Sequence, residues 1–157
     1  MKNLCALFSC IVVMQFGFVA SAQNRAIPIN EPDQNKPRLF ENLPDRIPVT
    51  EDALNSLLNA GIGRPASIPL TKETNASFDG EVVSLASKHE NKIQSVVIRS
   101  EQFNGASLTI SKILNDDGSY SYRGRIISFK HGDVYELQNG AEGLALVKRN
   151  YYDLVNE

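Results

Sequence analysis

All seven prolines of this 157-residue chain fall between positions 28 and 69, and none follows. A proline lacks a backbone donor, fixes its own φ and biases the residue before it toward extended geometry. Residues 23–49 carry prolines at 28, 32, 37, 44 and 48, so they can form neither a continuous helix nor a strand in the middle of a sheet. The stretch reads as an extended Pro-rich arm. Within it Ile27, Ile29, Leu39, Phe40, Leu43, Ile47 and Val49 punctuate a polar sequence. That spacing suits an extended segment anchored on a partner protein, and a plain spacer is the other reading of the same residues. On the partner reading, deleting residues 23–49 weakens capture and leaves the rest folded.

Upstream of the arm the chain opens MKNLCALFSCIVVMQFGFVASAQ. One early cation, Lys2, precedes an uncharged apolar run that ends in the small residues Ala20, Ser21 and Ala22, the pattern of a secretory signal cleaved before Gln23. Residues 1–22 are thus expected to be removed, leaving no membrane span in the mature chain. The product is expected in the periplasm, at the outer membrane or outside the cell. Cys5, Cys10, Met1 and Met14 all lie in the removed piece, so no disulfide, thiolate nucleophile or cysteine-bound metal is expected. Losing Lys2 takes the net charge from −2 to −3 with neutral histidines. Proteins that grip phosphate backbones show a basic excess or stripe, so no nucleic-acid partner is expected.

After the arm, "TEDALNSLLNAG" has the ends of a short helix. Thr50 can cap it, Glu51 and Asp52 suit the positive end of the helix dipole, Leu54, Leu57 and Leu58 share a face, and Gly61 can stop it. A helix this short is not stable alone in water, so its leucines must pack on something. Residues 50–70 are read as this helix and a linker.

From Thr71 to the C-terminus the punctuation changes to glycine, at Asn104-Gly105, Asp117-Gly118, His131-Gly132 and Asn139-Gly140. Such pairs between alternating apolar runs signal hairpins, because tight primed turns need positive φ. Strands are expected over 78–86, 93–100, 106–114, 119–130, 133–138 and 143–149. The fold class is therefore mainly β: an antiparallel meander of about six strands, as a small barrel or a single curled sheet, with the short helix packed on it. Tyr151, Tyr152, Leu154 and Val155 add apolar mass after the last strand, either packed on the domain or turned to a partner.

The densest stretch, "SYSYRGRIISFKHGDVYEL" from Ser119 to Leu137, combines aromatics, arginines and a histidine. Strand geometry sends Tyr120, Tyr122, Gly124 and Ile126 to one face and Ser121, Arg123, Arg125, Ile127 and Phe129 to the other. A single-stranded nucleic-acid platform needs rings and cations together, and here they are parted. The adjacent Ile126-Ile127 marks either a bulge or burial on both faces. His131 and Asp133 flank Gly132, but His89 is the only other histidine, too little for a zinc site, and a Ser-His-Asp triad is not expected because no Gly-x-Ser-x-Gly elbow occurs and both histidines sit in turn sequences. Asp116-Asp117-Gly118 lacks the register of a calcium loop. No cofactor, metal or catalytic residue is expected.

The function expected from these features is that of an exported, non-catalytic accessory protein, a subunit or partner of an envelope or secretion complex. Its candidate contact residues are Ile27, Ile29, Leu39, Phe40, Leu43, Ile47, Arg123, Arg125, Tyr151 and Tyr152. A protease inhibitor or prodomain-like regulator, and a small-ligand carrier with its site inside a barrel, are the alternatives.

Overall fold

The computed structural model describes residues 35–71 and 75–155. The expected signal segment and the candidate anchors Ile27 and Ile29 lie outside them. The described chain forms strands β1 (Arg46–Pro48), β2 (Pro65–Pro69), β3 (Ser77–Lys88), β4 (Ile93–Ser100), β5 (Ala106–Leu114), β6 (Tyr120–Ser128), β7 (Asp133–Gly140) and β8 (Gly143–Asn150). Helix α1 (Glu51–Leu58) stands between β1 and β2, and helix α2 (Tyr151–Val155) follows β8. Every strand pair is antiparallel, in one sheet of order β1-β8-β7-β6-β5-β4-β3-β2 that curls into a half-barrel. No helix among the described residues is long and apolar enough to cross a membrane.

The strands from β3 to β8 are the expected meander. The structure adds β1 and β2, which the proline-rich stretch had hidden, and makes the sheet open rather than a closed barrel. Both additions sit at the sheet's edges: Pro48 ends β1, and Pro65 and Pro69 bound β2. A residue without an N–H can be placed there without breaking a ladder, and it also blunts the edge against pairing with another chain.

Turn chemistry explains two of the four expected glycine reversals. Gly105 and Gly118 adopt φ of +78° and +83°, as their hairpins require. The last hairpin differs from expectation: Gly140 pairs with Gly143, so Ala141 and Glu142 make the turn while Asn139-Gly140 ends β7. At Gly132 the glycine is needed for closeness instead, since a Cβ there would stand 3.1 Å from the Lys36 carbonyl oxygen. The register of β5 against β6 runs unbroken through Ile126 and Ile127. The bulge lies in β3, where the pairing with β4 shifts between Val82 and Ser84.

The core lies on one side of the sheet, where Phe78, Val82, Val96, Ile98, Leu108, Ile110, Ile126, Tyr135 and Leu146 are buried. α1 covers part of it, lying against β2, β4 and β5 and burying Leu54 and Leu57. The Thr50 hydroxyl accepts from the Ala53 N–H at 3.3 Å, as the capping signal predicted, and the helix ends at Leu58 with Asn59 as its C-cap. Residues 36–49 cover the rest as a strap. Phe40 packs its ring against Phe103 and Tyr135, with centroids 5.5 and 5.1 Å away, and Ile47 pairs with Leu146.

Candidate functional site

A polar side chain can hold the fold together or act on something else, and hydrogen bonds separate the two. Asp133 is buried at 4% exposure, and its carboxylate accepts the N–H groups of Leu39 and Phe40 at 2.7 and 2.8 Å. The Tyr135 hydroxyl donates to the Pro44 carbonyl at 2.5 Å. Burial, with the Asp45 and Asp133 carboxylates nearby, pushes that phenol well above its ordinary range, so it stays a neutral donor. Lys148 donates to the Leu43 carbonyl at 2.5 Å and pairs with Asp45 at 3.3 Å. All three residues are spent on fastening the strap.

Replacing Asp133 with alanine leaves two inward N–H groups without an acceptor. The expected loss is about 1.5–3 kcal/mol in urea denaturation. The Asp133→Asn variant keeps one carbonyl acceptor and should lose less.

The remaining polar clusters are also internal. The His131 ring nitrogen Nδ1 lies 2.8 Å from the Ser128 hydroxyl, while the Asp133 carboxylate is bonded to the strap amides. Asp79 accepts from Ser67 at 2.5 Å, Ser77 at 2.6 Å and Gln102 at 2.9 Å, and these bonds, Ser67's first, hold its carboxyl below the usual range. It clasps β2, β3 and the β4–β5 turn. Asp117 accepts from the Ser119 hydroxyl and N–H within its hairpin turn. Among the described residues no three of His, Cys, Asp and Glu converge as metal ligands would.

A cluster without internal partners lies on the other side of the sheet, where β6 meets β7. β5 and β6 pair along their whole length, from Ala106↔Ser128 to Leu114↔Tyr120, and β7 and β8 do the same from Asp133↔Asn150 to Gly140↔Gly143. Between β6 and β7 the pairing covers Arg125↔Glu136 and Ile126↔Tyr135 alone. Beyond these rungs the ladder pairing stops, leaving an unpaired seam between Tyr120–Gly124 and Leu137–Gly140. A cleft of about 420 Å³ opens over it, lined by Thr109, Ser111, Arg123, Gly124, Arg125, Glu136 and Leu137.

The charges in this cleft are unevenly satisfied. Glu136 is held at 3.7 Å by Arg149 and accepts from Gln138 at 2.9 Å. Arg123 and Arg125 are both exposed, and their side chains have neither an ion pair nor a hydrogen bond to any described residue. Gly124 between them is packed from behind: a Cβ there would stand 2.6 Å from the Thr109 carbonyl oxygen.

The structure places the candidate contact residues in three groups. Arg123 and Arg125 share the cleft. Phe40 and Ile47 are buried in this chain's own core, with Leu39 and Leu43 packed against it. Truncation through residue 49 would consequently remove core side chains, so arm removal and fold cannot be separated as expected. Tyr152 is 7% exposed in α2, and Tyr151 stacks edge-on against it at 5.6 Å beneath the Lys36 ammonium. Thr109, Ser111, Glu136 and Leu137 entered no sequence argument; the local signal was a glycine set between two arginines inside a strand.

No protein-family model matches this chain, and comparison with curated proteins and with solved structures gives no match either.

Proposed function

We propose that this protein is exported and works by binding another protein, as a non-catalytic accessory subunit of an envelope or secretion assembly. The observation that carries the binding reading is the cleft at the β6–β7 seam, where two exposed guanidiniums lack an internal partner. Cations in that state add little to the stability of a monomer, whereas across an interface they steer encounter and fix register. The half-buried Val97, Ile113 and Ile127 lie on the same side of the sheet, so apolar surface adjoins the charged cleft. Export rests on the signal-like first 22 residues.

A photo-crosslinking residue placed at Ser111, in the cleft, tests this in the native host. The expected result is a crosslink to one discrete protein of the envelope or culture fluid, much stronger than from Asn42, which is exposed on the strap. Retention of the protein in the cytoplasm, or equal labelling from both positions, would refute the proposal.

A further inference from the structure

Resting on the protein-binding reading above, we propose that the β6–β7 seam receives an extended acidic segment of the partner, with carboxylates two residues apart held by Arg123 and Arg125. Three features define the ligand.

The first is main chain. β6 from Tyr120 to Gly124 pairs fully with β5, and β7 from Leu137 to Gly140 pairs fully with β8, yet the two segments do not pair with each other. In an antiparallel ladder alternate residues direct their N–H and C=O groups to opposite sides, so each segment offers main-chain donors and acceptors to the seam. An extended peptide satisfies such groups by adding as a strand. The sheet's outer edges are poorly suited to the same role, because β2 is bounded by prolines and β1 is a three-residue strand ending in one.

The second is spacing. Arg123 and Arg125 project to one face about 7 Å apart, the repeat between same-face residues of any extended chain. A partner strand with acids at alternate positions places one beside Arg123 in the seam and the next at its end, where Arg125 stands on the closing rung with Glu136.

The third is charge. Glu136, across from Arg125, is contacted at its Oε2 by Arg149 and Gln138 and forms no ion pair with the cation it faces. Guanidinium groups recognise planar carboxylates through paired hydrogen bonds, and the Thr109 hydroxyl beside them provides a further donor, while that of Ser111 is shared with Ser95 at 2.7 Å.

The test titrates purified, 15N-labelled protein with a blocked seven-residue peptide alternating Glu and Val, and separately with its Gln-for-Glu counterpart. Amide shifts are expected at Tyr122–Gly124 and Leu137–Asn139, with the Gln peptide and the Arg123→Gln/Arg125→Gln variant each binding at least about tenfold more weakly. The double variant should otherwise keep the wild-type spectrum, since both side chains are exposed and unbonded. Silence of these amides at millimolar peptide, or equal response to both peptides, overturns the proposal. So does an oligo-dT or a sulfated polysaccharide that binds the seam as tightly as the acidic peptide. If Ser111 still crosslinks a partner while the acidic peptide leaves the seam unmoved, the accessory-protein reading stands and this ligand assignment falls.

Discussion

Replacing Phe40 with alanine is expected to destabilise the protein by about 3–5 kcal/mol, the range for deleting a buried phenylalanine ring. The residue lies in a stretch whose prolines suggest a solvated arm, so the size of the effect is informative. Its side chain is fully buried, lies against Phe103 and Tyr135, and belongs to the same cluster as Leu54, Leu57 and Phe78. Removing the ring leaves a hole bounded on one side by the sheet and on the other by a strap that the Asp133 carboxylate holds at the Phe40 N–H. With the backbone pinned, the strap cannot readily sink to fill the space, which favours the upper half of the range. Urea denaturation of the variant measures the loss. An exposed anchor waiting for a partner would behave differently, losing affinity on truncation while the unfolding midpoint stayed in place. An unchanged midpoint would therefore show that the strap leaves the sheet in solution, and Phe40 would return to the set of partner contacts.

The contrast between Phe40 and the hairpins shows what a sequence of this kind discloses. Gly105 and Gly118 were legible because the information is local: positive φ at a tight turn needs a residue without a Cβ, and the flanking strands alternate. Alternation likewise assigned the two faces of β6, with Tyr122 and Ile126 buried and Arg123 and Arg125 exposed. Phe40 and Ile47 could not be assigned this way. Their partners, Tyr135 and Leu146, are about a hundred positions further on, and a short edge strand such as β1 exists only because β8 is there to pair with it. Proline statistics ruled out an interior strand and were right to do so, but they are silent about edges.

The candidate site is less legible still. The two arginines could be placed on a wet face by period two, yet the break in pairing between β6 and β7 is a property of a pair of strands and leaves no pattern in either one. The role of Asp133 and Tyr135 was hidden for the opposite reason. A carboxylate and a phenol near a histidine suggest a site, and nothing local reveals that the carboxylate is occupied by the Leu39 and Phe40 amides.

The second large effect is expected at Gly80. It sits inside β3, pairs with Ala66 on one side and Ser100 on the other, and has no need of positive φ. Its importance lies in distance. A Cβ built there would stand 2.1 Å from the Arg99 carbonyl oxygen and 2.8 Å from its carbon, both backbone atoms of β4. A flexible side chain could swing aside, but here a ladder must open, and the Asp79 carbonyl next door already accepts the Glu101 N–H at 3.0 Å. Gly80→Ala is therefore expected to cost about 3 kcal/mol or more, at or beyond the upper end of the usual range for overpacking. Gly118→Ala is the matched comparison: its Cβ would meet nothing within 4 Å, and the penalty is the left-handed backbone alone, about 1–2 kcal/mol. The order of the two variants in urea denaturation decides the matter, because turn strain should exceed crowding if β3 and β4 can separate cheaply at that point. Gly80 also stands close to the bulge between Val82 and Ser84, and together they allow the sheet to curl over Phe78 and Ile68. A bulkier residue at position 80 should flatten the sheet locally and loosen β2, so amide exchange of Ser67 and Ile68 ought to accelerate before that of β5 and β6.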